Sequence, residues 1–207
     1  MITHFFLYYS KDYKPLFDLV FPNWAEYTHR HNYVLATELA HHKPEYHFCF
    51  DKVKAAIDYW DTAHTADELV LIDCDMIVTD MTRTIGEFTG AVSAPITIGR
   101  DINGLNCGIA VLKRGRIASL WLNTVWSLRG RINTEQTAMQ FIEEAYEPYT
   151  KYVEGMNSIP YQYYGYGYRE GEPSQWEPGH FTFHLPCMEM ERRLAYLEDF
   201  KNNAVIR

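Results

Sequence analysis

Two hydrophobic patterns follow each other along the chain: short continuous apolar runs, and longer segments with apolar residues three or four positions apart. The runs Thr3–Ser10 and Tyr33–Leu39 predict strands, and the segment between them predicts a helix that begins near Tyr13. Pro22 lies inside this segment, so a kink or a split is expected there. The apolar positions of the segment are Leu16, Phe17, Val20, Phe21 and Trp24.

The middle of the chain repeats this order of strand and helix. Asp51 is placed to cap a second helix. The stretch Glu68–Asp80, ELVLIDCDMIVTD, reads as one buried strand, and Gly90–Ile96 and Leu105–Arg114 predict two more. The inner face of the second helix is expected at Val53, Ile57, Trp60 and His64.

The second half of the chain contains two amphipathic helices, an irregular loop over Tyr161–Gly179 and a last helix over Glu189–Phe200. Alternation of strands and helices predicts an α/β sandwich with a mainly parallel sheet. No linker or internal repeat divides the chain, so a single domain is expected over residues 1–207. The first amphipathic helix has its apolar face at Ile117, Leu120, Trp121, Val125 and Leu128. The second begins near Thr134 and is expected to bury Ala138, Phe141, Ile142 and Ala145.

The composition is that of a globular protein with an excess of negative charge. Hydrophobic residues make up 47% of the 207 positions, and the formal net charge is −8. This charge argues against a broad footprint on nucleic-acid phosphates. No apolar run is long enough to span a membrane. Four cysteines without CxxC spacing predict free, mostly buried thiols in a reducing compartment: Cys49, Cys74, Cys107 and Cys187.

Asp73 and Asp75 lie one residue apart within an otherwise apolar stretch. In an extended strand, residues i and i+2 project to the same face, so the two carboxylates are expected side by side. Such a pair repels itself unless a cation lies between the two groups, and hard divalent cations use oxygen ligands to hold phosphates. The alternative is that the pair only ends a strand and caps a turn.

Five short motifs resemble, in order, those of GT-A glycosyltransferases, which transfer sugars from nucleotide-sugar donors. ADELVLIDCDMIV resembles the D-x-D strand that holds Mn²⁺ or Mg²⁺, and FCFDKVKAAIDYW resembles the helix before it. DINGLNCGIAVLKR, NTEQTAMQFI and GHFTFHLPCM resemble segments of the retaining glycogenin-like group and of the fungal and plant galactosyl- and xylosyltransferases. The resemblance spans roughly Phe5 to Met188. It implies a GT-A, Rossmann-like, three-layer α/β/α sandwich with a mainly parallel central sheet.

The resemblance also implies a role for each matched residue. The metal ligands would be Asp73 (directly or through ribose or water), Asp75 and His184. Lys52 would reach the donor phosphates. Further contacts to the donor are implied for Tyr8, Tyr9, Ser10, Tyr13, Asp73, Asn106 and Gly108. The residues implied at the reacting sugar are Gln136, Asp101 and Glu135.

Local patterns leave alternatives open for several of these residues. His184 lies between apolar residues and also fits a core histidine, and His180 is a rival third ligand. Asp101 fits an ordinary turn, and Asn106 with Gly108 fits the start of a strand. The glycine that follows the histidine in the family is replaced here by the sequence LPC, so the resemblance does not carry over the usual backbone contact to the diphosphate.

Two further segments have both a structural and a functional interpretation. Thr134, Glu135 and Gln136 have the pattern of a capped helix start, and Glu135 stands where the family has aspartate. The tyrosines of Tyr161–Tyr168 suit stacking on a sugar or a base, so this stretch is interpreted as an acceptor-side loop.

These observations predict a metal-dependent retaining glycosyltransferase that uses a UDP-sugar and Mn²⁺ or Mg²⁺. The acceptor is left open among a glycan, a protein, a small molecule and a modified nucleobase. Without a predicted membrane anchor, the cytoplasm of a bacterium or of a virus-infected cell is the expected location. The alternatives are a sugar-phosphate nucleotidyltransferase, which the absence of glycine from YYSKDYKP disfavours, and a non-catalytic protein that binds nucleotides or carbohydrates.

Overall fold

A computed structural model of the chain describes residues 1–40, 42, 45–90, 94–101, 104–158, 176–186 and 188–203. The strands in these ranges are β1 (Thr3–Tyr9), β2 (Val34–Leu39), β3 (Glu68–Asp73), β4 (Met76–Val78), β5 (Ile96–Asp101), β6 (Gly104–Lys113), β7 (Thr150–Val153) and β8 (Thr182–His184). The α-helices are α1 (Lys14–Arg30), α2 (Phe50–Thr62), α3 (Ile85–Thr89), α4 (Arg116–Ser127), α5 (Glu135–Phe141), α6 (Glu143–Tyr146) and α7 (Met190–Asn203). None of the described helices combines the length and apolar character needed to cross a bilayer.

Six strands form a central sheet in the order β2-β1-β3-β6-β5-β7, and β4 pairs with β8 in a separate two-stranded sheet. β1 runs parallel to β2 and β3, and β5 runs parallel to β7. β6 is antiparallel to both of its neighbours. It begins only three positions after β5 ends, too close for the crossover that a parallel β5–β6 pair would need. The central sheet is mainly parallel, as expected, with one inverted strand.

Alternation of side chains along the strands builds two hydrophobic layers, one on each face of the central sheet. In β1, Phe5 and Leu7 pack in the layer that contains α1 and Leu197 of α7. Phe6 points the other way, into the layer formed with α2, α4 and α5, which includes Trp121. The expected three-layer α/β/α sandwich is therefore confirmed.

The stretch Glu68–Asp80 is two strands rather than the single strand expected. β3 ends at Asp73, a turn occupies Cys74 and Asp75, and β4 begins at Met76 in the other sheet. Buried carboxylates need polar partners, and Asp73 and Asp75 have theirs at the point where the chain leaves the central sheet. The strand expected over Gly90–Ile96 is also wrong in its bounds, since Gly90 ends α3 and β5 begins at Ile96. Residues 91–93 lie outside the described residues.

Both edges of β4 are held in place. One edge pairs antiparallel with β8, which places Met76 opposite His184. On the other edge, Trp24 Nε1 donates to the Met76 carbonyl at 2.8 Å, and the Asn23 side chain exchanges hydrogen bonds of 3.0 and 2.7 Å with the Val78 backbone. This frame fixes the turn that precedes β4.

α1 runs through Pro22 without a split, so of the two expected outcomes, a kink or a split, the split is wrong. The helix continues to Arg30 because Asn23 and Trp24, directly after the proline, anchor it on β4. Tertiary contacts therefore outweigh the one backbone hydrogen bond that proline removes.

Two helix boundaries also differ from the prediction. Asp51 lies in the first turn of α2 instead of capping it, and its carboxylate lies 2.9 Å from His42 Nδ1. His64, expected on the inner face of this helix, lies beyond its end and is exposed. The segment after Thr134 breaks near Ile142, so the helical phase changes and Phe141 and Ala145 are exposed rather than buried.

Candidate functional site

Asp73, Asp75 and His184 come together at the end of β3. Their ligand atoms all lie within 4.8 Å of one another. Asp73 ends β3, Asp75 follows in the turn, and the β4–β8 pairing brings in His184 from more than a hundred positions away. The Leu185 amide donates to the Asp75 carbonyl at 3.0 Å, which ties the turn to the end of β8. The carboxylates therefore converge through a turn and not through alternation along a strand.

These three side chains fit a divalent cation by chemistry and by size. Two carboxylates and one imidazole suit Mn²⁺, and carboxylates with water suit Mg²⁺. A cation with bonds of about 2.1 Å holds opposite ligand atoms about 4.2 Å apart. The spacing of the Asp73, Asp75 and His184 ligand atoms, at most 4.8 Å, is close to this value.

One half of the site, which we call the Asp73 half, is organised by the buried lysine of α2. Lys52 Nζ lies 2.5 Å from Asp73 Oδ1 and 3.3 Å from Glu135 Oε1, and it donates to the Cys107 carbonyl at 3.1 Å. The side chains of Lys52, Asp73, Glu135 and Cys107 form this half. Lys52 thus lies against the acidic pair, and its contact to the donor phosphates stays a prediction.

Burial and ion pairing act in opposite directions on the pKa values of Asp73 and Lys52. Burial raises the pKa of Asp73 to about 6 against the opposing effect of Lys52, and Asp75 adds to the rise. Burial would lower the pKa of Lys52, but Asp73, Cys107 and Glu135 together hold it well above its usual value. Lys52 is therefore a permanent cation in the site.

The second half, the Asp75 half, consists of Asp75, His184, Arg193 and Tyr13. His184 Nε2 lies 3.2 Å from Asp75 Oδ1, and Arg193 Nη2 lies 3.6 Å from Asp75 Oδ2. The Arg193 guanidinium also lies over the Tyr13 ring, 5.3 Å from its centroid. Burial would raise the pKa of Asp75, but His184 and Arg193 outweigh burial and lower it. Asp75 is therefore ionised.

The start of α5 is a capped helix N-terminus, and its side chains also face the candidate site. Thr134 caps the helix by accepting a hydrogen bond from the Thr137 amide, which confirms the structural interpretation. Glu135 is nevertheless buried and turned toward Lys52 and the Cys107 thiol. Gln136 Oε1 accepts from the Cys107 amide at 3.3 Å. The helix start thus faces the site as well as capping α5.

Asn106 and Gly108 lie on β6 beside His184. Asn106 Oδ1 accepts from the Gly108 amide at 2.9 Å and from Asn157 Nδ2. A Cβ atom at Gly108 would lie 2.7 Å from His184 Cε1 and 2.9 Å from its Nδ1, closer than packed atoms approach. Glycine at this position therefore makes room for the His184 ring; a contact from Gly108 to the donor stays a prediction.

The residues after β1 lie at the same edge of the sheet as Asp73. Tyr8 is the β1 partner of Asp73 in register, and Tyr9 stacks on Phe17 with ring centroids 3.9 Å apart. Ser10 precedes a short 3₁₀ turn that ends at Tyr13, whose ring underlies Arg193. Their predicted role in donor binding agrees with this location but is not tested by it.

Three other expectations have different outcomes. The described three-residue cluster contains His184 rather than the rival His180, whose Nδ1 lies 2.8 Å from Ser158 Oγ. Asp101 ends β5, and its side chain lies outside the described part of the structure. The acceptor-side loop Tyr161–Tyr168 lies outside the described residues. Of the cysteines, Cys49, Cys74 and Cys107 are free, and Cys187 falls outside the description.

Two site residues were not found from sequence. Arg193 lies at helical spacing from the buried Leu197, so a charge on the inner face of α7 was an available signal. Asn157, in the sequence EGMNS, has no comparable signal, because asparagine beside glycine is typical of turns.

Solved structures of glycosyltransferases share this fold. A glycosyltransferase involved in glycosylation of the major capsid of PBCV-1 superposes with a TM-score of 0.76 at 14% identity, covering 96% of this chain and 100% of that one. The galactosyltransferase LgtC, solved with donor and acceptor sugar analogs, gives 0.56 at 9% identity, with 96% and 99% covered. Mouse xyloside xylosyltransferase 1 gives 0.55 at 10% identity, with 90% and 98% covered.

No protein-family model matches the chain, and no curated protein matches its sequence significantly. The likeness is therefore one of fold. This chain has the GT-A fold of these glycosyltransferases, and the resemblance inferred from its motifs is confirmed at that level.

Proposed function

We propose that this protein is a metal-dependent, retaining glycosyltransferase that moves a sugar from a UDP-sugar to an acceptor hydroxyl. The observation that carries the proposal is the cluster of Asp73, Asp75 and His184 at the carboxyl end of β3, in a fold shared with glycosyltransferases. Ligands of open α/β sheets bind beyond the carboxyl ends of the strands.

The charges of the site support a diphosphate ligand held by a cation. Asp73, Asp75 and Glu135 contribute three negative charges, and Lys52 and Arg193 contribute two positive ones. These five side chains together carry one surplus negative charge, and a bound divalent cation would reverse its sign. When bound, Mn²⁺ or Mg²⁺ would neutralise the charge that develops on the departing nucleoside diphosphate.

The chain's own residues would hold and orient the donor. Lys52, fixed by Asp73 and Glu135, supplies a positive charge beside the proposed metal site, and we assign that charge to the donor phosphates. Gln136 and Asn106 present carboxamides at the same edge of the sheet, where they would orient the sugar. Glu135 is ion-paired with Lys52, so we assign it to positioning the lysine rather than to attack on the sugar.

Retention of configuration, the UDP donor and Asp101 as a polar contact to the sugar come from the family resemblance. LgtC was solved with both donor and acceptor sugar analogs, and by analogy we place an acceptor next to the donor in this chain. A glycan, a protein, a small molecule or a modified nucleobase each supplies the hydroxyl required. A single domain over residues 1–207 and a cytoplasmic location remain part of this proposal.

The test is a screen of nucleotide-sugars for hydrolysis in the presence of Mn²⁺, with release of the nucleoside diphosphate as the readout. Hydrolysis of a UDP-sugar that chelator abolishes and Mn²⁺ restores is the expected result. Metal-independent binding of UDP without turnover of any sugar nucleotide would overturn the proposal. Release of pyrophosphate from a nucleoside triphosphate and a sugar phosphate would also overturn it, in favour of nucleotidyl transfer.

A further inference from the structure

Buried polar atoms without a hydrogen-bond partner are concentrated beside the Asp75 half of the site. Within the described residues, four buried side-chain atoms lack a partner, and three of them belong to His184 (Nδ1), Asn157 (Oδ1) and Arg193 (Nε). The fourth, Trp60 Nε1, belongs to the opposite layer of the sandwich. An unpaired buried polar group costs about 1–3 kcal/mol. A cluster of three is therefore a feature that calls for a physical explanation.

His184 and Asn157 border the same small space, which exists because residue 108 is glycine. The position that a Cβ of Gly108 would occupy lies 2.9 Å from His184 Nδ1 and 3.0 Å from Asn157 Nδ2. A backbone hydrogen bond holds the two segments together: the His184 amide donates to the carbonyl of Ser158, the residue after Asn157, at 2.8 Å. Asn157 is 1% exposed, so its side chain has few positions available.

The Asn157 side chain is held by one end only. Its Nδ2 donates to Asn106 Oδ1, an atom that also accepts from the Gly108 amide. This bond sets the orientation of the Asn157 carboxamide, and within the described part of the chain its oxygen has no donor. The unpaired oxygen lies on a residue that flanks the unpaired ring nitrogen of His184.

A histidine that binds a metal through Nε2 must carry its proton on Nδ1. That N–H is almost always donated to an oxygen, which fixes the ring and makes it a better ligand. In the structure, His184 Nε2 faces Asp75 Oδ1 at 3.2 Å, a geometry that suits a ring with a proton on Nε2. Metal binding would move the ring proton to Nδ1, and Nδ1 then requires an acceptor.

We propose that Asn157 is a positioning residue for the third metal ligand: its carboxamide oxygen accepts the Nδ1 proton of His184 when Nε2 binds the cation. This inference rests on the metal site of the proposed function, but not on the sugar that is transferred. Gly108 serves the same arrangement, because any side chain there would push the ring and the carboxamide apart.

The test compares Mn²⁺ binding by isothermal titration calorimetry in three variants. Asn157→Leu removes the acceptor at similar volume and should weaken Mn²⁺ binding by about ten- to a hundredfold. Asn157→Asp keeps an oxygen acceptor but loses the Nδ2 bond to Asn106, so it should lose less Mn²⁺ affinity than Asn157→Leu. The control is Thr182→Val, which removes a buried hydrogen bond to the Met156 carbonyl beside the same residues and should leave Mn²⁺ affinity unchanged.

A second measurement does not depend on the variants. With ¹⁵N-labelled histidine and diamagnetic Mg²⁺, NMR should show the His184 proton on Nε2 in the free protein and on Nδ1 in the complex. A complex without a proton on Nδ1, or an Asn157→Leu variant with wild-type Mn²⁺ affinity, overturns the role of Asn157. If Asn157→Leu does not fold, the NMR result decides.

The outcomes separate this inference from the proposed function. A wild-type protein that binds neither cation overturns both. Normal Mn²⁺ binding with the expected loss in Asn157→Leu, but no turnover of any nucleotide-sugar, supports the positioning role and overturns the transferase. Mn²⁺-dependent turnover, together with wild-type Mn²⁺ affinity in Asn157→Leu, supports the transferase and overturns the positioning role.

Discussion

The Asp73 half and the Asp75 half of the site lie side by side, but they differ in how far the chain satisfies their polar atoms. In the Asp73 half, one lysine ammonium is shared among Asp73, Glu135 and the Cys107 carbonyl at 2.5 to 3.3 Å. In the Asp75 half, the Arg193 contact is longer, at 3.6 Å, and buried nitrogens of His184 and Arg193 have no hydrogen-bond partner among the described residues.

This difference indicates that the two halves of the site have different roles. The Asp73 half carries its own cation and is complete before any ligand arrives, as preorganised electrostatic sites are. The Asp75 half is left incomplete, because His184 Nδ1 has no partner among the described residues, and a cation bound at Nε2 would require a proton and an acceptor at that nitrogen. Substitutions in the first half should therefore affect folding most, and substitutions in the second should affect metal binding most.

The largest effect is expected from Asp75→Asn. Loss of this carboxylate removes a ligand from the incomplete half, so metal-dependent turnover of a UDP-sugar should fall by at least about a thousandfold. Circular dichroism should show an intact fold, because asparagine can still bond to His184. Full activity of the variant, or full activity of the wild type in excess chelator, contradicts the assignment of the metal site.

The complete half is tested by Lys52→Met. Removing Lys52 leaves Asp73 and Glu135 without their shared cation, and breaking a buried pair in this way costs about 3–5 kcal/mol of unfolding free energy. Urea denaturation measures the loss. The matched control is Lys54→Met on the same helix, where the exposed pair with Asp58 contributes at most about 0.5 kcal/mol.

The same pair of variants gives a clear contrary outcome. Equal losses of stability from Lys52→Met and Lys54→Met would mean that the Asp73 half is not held by its internal ion pairs. The addition of Glu135→Gln to Lys52→Met should recover part of the lost stability, because one of the two uncompensated buried charges is then removed.

Much of the fold was predictable from hydrophobic pattern, because central strands and amphipathic helices are decided by burial. β1, β6 and α4 lie within one or two residues of their predicted bounds. The errors occur where tertiary contacts override local preference. The bonds from Asn23 and Trp24 to β4 outweigh Pro22, and a break near Ile142 changes which residues of the next turn are buried.

The site was predictable only in part. Asp73, Asp75, His184 and Lys52 carry sequence signals, namely charge within an apolar run and motif order, and the structure brings them together. The way they meet was not predictable, because the turn at Cys74 depends on the pairing of β4 with a segment more than a hundred positions away. In our proposal, Asn157 acts through its spatial neighbour His184. Local sequence does not reveal a contact between residues that are far apart along the chain.

A smaller effect of opposite sign is expected from Arg193→Met in the incomplete half. Arg193 Nη2 lies 3.6 Å from Asp75 Oδ2, so its charge opposes a divalent cation at the same carboxylate. Removing that charge should tighten Mn²⁺ binding by roughly tenfold in a calorimetric titration. Arg192→Met changes an exposed neighbour on the same helix and should leave the affinity unchanged. Weaker Mn²⁺ binding by Arg193→Met would show that Arg193 supports the site rather than competing with the metal.

The smallest effect is expected from Glu68→Gln, at the opposite end of β3 from Asp73, where burial acts on a carboxylate away from the candidate ligands. Burial raises the pKa of Glu68 above its usual value, although Thr3 donates to it at 3.2 Å. The folded state therefore holds this proton more tightly than the unfolded state, and the stability so gained is lost as pH rises through the folded pKa. Glutamine does not ionise, so Glu68→Gln does not lose this stability. The free energy of unfolding of the variant, relative to the wild type, should therefore increase between about pH 4 and pH 7. Urea denaturation at both pH values measures the difference, and an unchanged or opposite difference would mean that burial does not dominate the carboxylates of β3.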